Sequence, residues 1–185
     1  MANEIEKKYR LDAGQKADVL ESLHEIGAQF QGEDFEENIL FSNDELFAKQ
    51  AVLRLRRIGE RTILTYKQKV ISDSAAKHHI EYETEVADFD EISSIFASLN
   101  YHAVLIYEKR RRIWNFRKVE IVLDSLPFGE FMEIEGSLTA IAEAEMFLGA
   151  EDFEVVPETY PILTMKFGTK NGTVVEARFE AAEEK

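Results

Sequence analysis

The sequence predicts an α+β fold in which a closed or nearly closed antiparallel β-barrel carries helices on its outside. Three observations lead there. Seven segments alternate apolar and polar residues with the two-residue period of a strand. Helical periodicity appears only in short stretches between them. On several strands the charged residues fall on one face, acids on some strands and bases on others.

The elements follow in chain order. Strand-like alternation runs from Glu4 to Arg10, and Gln15 to Ile26 then places Val19, Leu20, Leu23 and Ile26 on one helical face. Val52 to Ile58, Thr62 to Val70 and His79 to Val86 read as strands, with Gly59-Glu60 as the turn joining the first two. A helix over Phe89 to Leu99 aligns Ile92, Ile95, Phe96 and Leu99. Three more strands run from Tyr107 to Phe116, Val119 to Asp124 and Phe131 to Gly136, with a turn at Pro127-Phe128-Gly129, before a third helix from Leu138 to Leu148. Seven or eight strands in one small domain suit a barrel or a sandwich. No linker-like run and no repeat divides the chain, so a single domain over 1–185 is expected, with a charged, frayed tail from Glu176 to Lys185.

Composition narrows the function classes. Hydrophobic residues make up 45% and charged residues 31% of 185, a globular balance with enough chain to bury a core. The absence of cysteine removes disulfides, thiolate metal sites and cysteine nucleophiles together. The charged start, Met1 to Lys8, and the lack of any apolar run near the roughly 18 residues of a membrane span point to a cytoplasmic protein. With 36 acidic against 22 basic residues, the net charge of −14 repels nucleic acid and anionic membrane. The basic residues nevertheless cluster: Arg54, Arg56, Arg57 and Arg61 with Lys67 and Lys69, and Lys109 to Arg112.

Those clusters lie on strands whose alternate residues share a face. Glu4, Glu6 and Lys8 share one, as do Arg54 and Arg56, Lys67 and Lys69, Glu81, Glu83 and Glu85, Lys109 and Arg111, and Glu133 and Glu135; Asp124 ends another strand. One such strand would read as the solvated face of an antiparallel sheet. Across six strands, segregation of acids from bases fits better with a barrel whose inner face is charged and whose outer face packs helices. Converging guanidinium and ammonium groups suit a polyphosphate. The accompanying glutamates call for a hard cation, Mg2+ or Mn2+, held by carboxylates together with phosphate oxygens. Metal-assisted phosphoryl transfer follows from that pairing.

Six segments in order resemble the CYTH superfamily, the triphosphate tunnel metalloenzymes. Glu4-Ile5-Glu6-Lys7-Lys8 is similar to its Glu-x-Glu-x-Lys start, Leu53-Arg54-Leu55-Arg56 to its Leu-Arg-x-Arg strand, and Leu64-Thr65-Tyr66-Lys67 to its Leu-Thr-aromatic-Lys strand. Glu81-Tyr82-Glu83 resembles the Glu-x-Glu strand, Lys109-Arg110-Arg111 the Lys-x-Arg strand, and Leu123-Asp124 with Gly129 to Glu135 the closing Asp, Gly and Glu-x-Glu segment. The match covers residues 4–136 and extends loosely through Glu158-Thr159-Tyr160-Pro161.

The resemblance implies an eight-stranded triphosphate tunnel and an acid anhydride hydrolase or cyclase. Carried over by position, Lys8, Arg54, Arg56, Lys67, Lys109 and Arg111 bind substrate phosphate; Glu4, Glu6, Glu81, Glu83, Asp124, Glu133 and Glu135 form the metal-binding set, Glu133 and Glu135 first among them. Lys8, Glu4 and Glu6 are the implied catalytic residues, Lys8 orienting or deprotonating the attacking water. Two departures stand out. Ile39 to Asn43 replaces a Tyr-Phe-Asp-Thr-like run, and His79 stands where relatives often carry arginine. The implied substrate is inorganic triphosphate, ATP or thiamine triphosphate, with no nucleic-acid or membrane partner and a homodimer as the candidate assembly. A class IV adenylate cyclase and a non-catalytic polyphosphate or nucleotide sensor are the alternatives, since family membership does not settle chemistry.

Three features have simpler readings. Trp114 is expected as outer-wall core beneath a helix rather than a base-stacking platform. His78 and His79 mark a loop-to-strand junction, and Gly168 to Thr173 lacks the phosphate-loop order, so Asn171-Gly172 reads as a hairpin turn.

Overall fold

The computed structural model describes residues 5–70 and 78–180. In chain order it contains β1 (Ile5–Leu11), α1 (Ala13–Glu25), β2 (Gln29–Ser42), α2 (Asp44–Ala48), β3 (Ala51–Ile58), β4 (Arg61–Val70) and β5 (His78–Val86). There follow α3 (Phe89–Ser98), β6 (His102–Phe116), β7 (Val119–Leu126), β8 (Gly129–Gly136), α4 (Leu138–Leu148), α5 (Tyr160–Phe167), β9 (Thr169–Asn171) and β10 (Val174–Ala177). Hydrogen-bonded neighbours run β1-β8-β7-β6-β2-β3-β4-β5, an open path among the described residues, with β10 on β6 and β9 on β10. The α+β class and the antiparallel sheet with helices are as expected. Eight of the ten strands among the described residues make up that path, and the short β10 adds parallel to β6 with β9 beyond it.

Contacts group the chain into two compact units, residues 1–35 with 109–159 and residues 36–108 with 160–185. In the first unit β1 pairs with β8, β8 with β7 and β7 with the later part of β6, all antiparallel. The outward-alternating residues Tyr9, Leu11, Trp114, Phe116, Ile121, Leu123, Met132 and Ile134 are buried with Val19 and Leu23 of α1 and Ile141, Ala144 and Leu148 of α4. Trp114 is thus core, 6% exposed. Asp12 caps α1 by accepting from Gln15 N at 2.8 Å, while Gln15 Oε1 accepts from Asp12 N, a capping box that fixes where the helix begins. Gly149 ends α4 in the left-handed region at φ 63°.

In the second unit β2, β3, β4 and β5 pair successively antiparallel. Phe41, Leu55 and Phe96 form its core with Ile39, Leu53, Leu64, Val86, Phe89 and Ile92, so α3 covers the face opposite Arg54 and Arg56. Gly59 takes φ 57° in the β3–β4 turn, where a side chain would be strained. The 14-residue β2 has no counterpart in the alternation pattern, because its first seven positions are mostly exposed and mix glutamine, phenylalanine, glycine and acid without sustained alternation. Asn171-Gly172 does turn the β9–β10 hairpin. The frayed-tail expectation is corrected over 176–178: Glu176 and Ala177 lie in β10, and Arg178 is tied to three glutamates. Among the described residues no helix is long and apolar enough to cross a membrane.

Ile134 is fully buried in the core of the first unit. Truncation to alanine is expected to lower the unfolding free energy by about 2–5 kcal/mol, measured by urea unfolding.

Candidate functional site

The face opposite the first unit's core is polar, and strand register sets its content. Lys8 stands across from Glu133, Glu6 across from Glu135, and Asp124 across from Arg111. Lys8 is 7% exposed; its Nζ lies 3.1 Å from Glu133 Oε1 and 3.7 Å from Glu6 Oε1, and donates to the Glu158 carbonyl at 3.3 Å. Arg111 forks onto Asp124, with Nε donating to Oδ1 at 2.8 Å and Nη2 to Oδ2, while the same Nη2 reaches Glu133 Oε2 at 2.6 Å. Lys109 Nζ sits 3.5 Å from Asp124 Oδ2. Asp124 has no solvent exposure, and a carboxylate so buried is tolerated only with paired positive charge. Lys8, Lys109, Arg111, Asp124, Glu133 and Glu6 thus form one interlocked group.

Glu6 carries the group's electrostatic tension. Burial raises its carboxyl above the ordinary value, the facing Glu133 raises it further by charge and by hydrogen bond, and Lys8 and Arg111 offset only part of this. Two carboxylates sharing a hydrogen bond need a proton between them, and a divalent cation could take that proton's place. Magnesium commonly binds through one or two carboxylates plus phosphate oxygens and water, so this pair fits such an ion. Glu135 is on the same strand face as Glu133 but exposed. Glu4 lies outside the described residues. Among those described, no group of three His, Cys, Asp or Glu side chains converges as a ready-made metal cage.

The second unit carries a basic group of its own. Register places Arg54 across from Thr65, Thr65 across from Glu83, and Lys67 across from Glu81. Arg54 Nη2 donates to Thr65 Oγ1 at 3.3 Å, and Thr65 Oγ1 donates to Glu83 Oε2 at 3.0 Å. Lys67 Nζ pairs with Glu81 Oε2 at 3.1 Å, both about half exposed, so the pair adds little to stability. Arg56 Nε is 3.7 Å from Glu36 Oε2, which accepts from Asn38 Nδ2 at 3.4 Å. The Nε atoms of Arg54 and Arg56 and Oδ1 of Asn38 are buried without a hydrogen-bond partner.

Sequence reading did not find Glu36, Asn38 or Tyr107. Glu36 and Asn38 belong to the unrecognised β2, where one further step of alternation, to Leu40 opposite Arg54, would have exposed them as neighbours of Arg56. Tyr107 sits two residues before Lys109, at the alternation distance that shares its face.

The CYTH domain model matches residues 2–154. A protein of Methanocaldococcus jannaschii provisionally named an adenylate cyclase is 29% identical over 148 residues, 78% of this chain and 83% of its own. A solved Pyrococcus horikoshii protein is 26% identical with a TM-score of 0.70, covering 86% of this chain and 98% of that one. A Hippeastrum protein, provisionally an adenylyl cyclase and described as revealing a dominant triphosphatase activity, shares the fold at TM-score 0.67 and 13% identity, over 88% of this chain and 94% of its own.

Two stability predictions follow from the geometry. Asp124→Asn strips the counter-charge from Lys109 and Arg111 and is expected to cost about 3–5 kcal/mol in denaturant unfolding. Because the native pKa of Glu6 is raised, the folded state binds more protons than the unfolded chain between the two values, so stability falls as pH rises through that window. The pH dependence of the unfolding free energy should therefore lose this falling component in Glu6→Gln, and in the wild type when Mg2+ or Mn2+ is added.

Proposed function

The chain belongs to the CYTH-domain family, and from that premise we propose that it is a divalent-metal-dependent phosphohydrolase acting on inorganic triphosphate or an organic triphosphate. The observation that carries the reading is the convergence of Lys8, Lys109 and Arg111 on the buried carboxylates Asp124 and Glu133. A wall of cations held rigidly by buried acids is pre-organised for phosphate oxygens, and pre-organisation is where charge stabilisation gains most of its effect.

Each residue's part follows from its contacts. Arg111 and Lys109 offer N–H donors to phosphate oxygens, with Asp124 fixing their orientation from behind. Lys8, anchored by Glu133 and the Glu158 carbonyl, presents an ammonium that orients the attacking water or the terminal phosphoryl group. Glu6 and Glu133, with Glu135 beside them, would hold Mg2+ or Mn2+. That ion, when bound, supplies charge neutralisation across the phosphate oxygens. Arg54, Arg56 and Lys67 carry the same phosphate-binding chemistry in the second unit. In hydrolysis, water's oxygen bonds to the terminal phosphorus as the bridging P–O bond breaks, and the water's protons leave to nearby bases and solvent.

A second reading, adenylate cyclase, is favoured by the name of the Methanocaldococcus jannaschii relative. There the ribose 3′-hydroxyl attacks the α-phosphorus and pyrophosphate leaves. Product analysis with inorganic triphosphate, ATP and thiamine triphosphate, each with Mg2+ or Mn2+, separates the readings. Orthophosphate release supports the hydrolase, cyclic AMP with pyrophosphate moves the assignment to the cyclase, and tight binding without either product leaves a sensor. Glu133→Gln is expected to lower turnover by about 100-fold or more, the scale of losing an electrostatic partner at a reacting centre. The Arg54→Ala, Arg56→Ala double variant is expected to weaken triphosphate binding by about 100-fold or more in calorimetry.

A further inference from the structure

Strand register puts a further cation on the polar face of the first unit, and the proposed reaction gives it no part. Arg10 follows Glu6 and Lys8 at the two-residue period of β1, so all three side chains leave the same face. Across the strands, Lys8 stands opposite Glu133, and Arg10 stands opposite Phe131. Phe131 in turn stands opposite Asp124, and Asp124 opposite Arg111. Arg10 and Arg111 therefore occupy one level of the face, a step beyond Lys8, with Phe131 and Asp124 as the floor between them. Two residues of antiparallel strand separate the Lys8 and Arg10 levels by about 6.8 Å.

That floor is dry, since Phe131 and Asp124 both lack solvent exposure, while Arg10 is only partly buried. The guanidinium carbon of Arg10 lies 4.9 Å from the centre of the Phe131 ring. A ring face steadies a guanidinium without supplying a counter-charge, unlike the carboxylate fork on Arg111. Gly129, at φ 149° where the β7–β8 turn enters β8, leaves room for the group, because a Cβ there would lie 3.2 Å from Arg10 Nη1. The main chain of β1 is fixed at the same place along its other edge. Arg10 N donates to the Glu154 carbonyl at 3.0 Å, Val156 N donates to the Lys8 carbonyl at 2.8 Å, and Tyr9 bridges Val155. Lys8 and Arg10 thus keep a set spacing along the face.

We infer that Arg10 binds phosphate, acting with Arg111 across the Phe131–Asp124 floor to hold the part of a polyphosphate chain beyond the phosphoryl group beside Lys8. Side chains from β1 and β6 then bracket the anion at one level, and the dry floor strengthens the attraction of both. The consequence is selectivity for length: orthophosphate is held at the Lys8 level alone, whereas a triphosphate reaches both levels. Arg10 lies outside the Glu-x-Glu-x-Lys segment, which ends at Lys8. The inference rests on the proposed function for the ligand it names.

Calorimetry with inorganic triphosphate and 31P NMR titration with orthophosphate, at fixed Mg2+ and ionic strength, test it. Arg10→Gln is expected to weaken triphosphate binding by about tenfold to 100-fold, the scale of hydrogen bonds from a charged donor, and to leave orthophosphate binding unchanged. Arg10→Lys, which keeps the charge but loses the planar fork, should fall between the two. Arg117→Gln removes an equal charge from the exposed β6–β7 turn and should leave triphosphate affinity unchanged. Unfolding midpoints without ligand confirm that each variant is folded. Equal triphosphate affinity in the wild type and Arg10→Gln overturns the inference and leaves the proposed function standing. A loss matched by Arg117→Gln, which is an effect of overall charge, or shared equally by orthophosphate, overturns it as well. A wild type that binds no triphosphate removes the proposed function, and the inference with it.

Discussion

An extended strand sends successive side chains to opposite faces, and that two-residue period is the constraint on which both units depend. A strand that carries lysine or glutamate on one face is stable here only because the intervening residues are sealed by helices. In the first unit Tyr9, Ile121, Met132 and Ile134 sit under α1 and α4 while Lys8, Asp124 and Glu133 take the alternate positions. In the second, Leu53, Leu55 and Leu64 sit with α3 while Arg54, Arg56 and Thr65 take the alternates. Burial of each large apolar side chain contributes about 1.5–3 kcal/mol, and the sum offsets the cost of gathering charges on the other side.

Gathering those charges is costly in a way that explains their arrangement. A lone buried carboxylate such as Asp124 would lose its hydration without return; Arg111 and Lys109 supply the missing stabilisation through a fork and a point charge. The same pairing makes the cations rigid. Glu6 has no such complete compensation: burial and then the charge of Glu133 raise its carboxyl above the ordinary value in spite of Lys8 and Arg111. Stabilisation of the folded scaffold and the fixed positions of these cations thus come from the same contacts.

Much of this was legible from the residues. The charged alternation in β1, β3, β4, β5 and β8 identified strands and the residues facing one way, because two-residue periodicity is local and visible. Lys8 meeting Glu133 was foreseeable only as membership of a common wall, since β1 and β8 lie far apart in sequence and register is set by packing. β2 stayed hidden because Gln29 to Phe35 is mostly exposed and interrupted by Gly32, Glu33 and Asp34, with no sustained apolar face to betray a strand. Glu36 and Asn38 went with it. The C-terminal α5 and the seating of the Asn171-Gly172 hairpin on β6 were invisible for another reason: Tyr160 and Ala177 gain their meaning from contact with Tyr107 and β6, not from their own periodicity.

We propose that the charged face of each unit serves to bind a triphosphate with a divalent cation. The most direct measurement is the thermal unfolding midpoint against inorganic triphosphate concentration with Mg2+ or Mn2+, compared with orthophosphate at matched ionic strength. A ligand that binds only the native state raises the midpoint progressively with the logarithm of its concentration once it exceeds Kd. The account predicts such a rise for triphosphate with metal and a much smaller one for orthophosphate. A midpoint that does not move, or moves equally for both anions, would contradict it.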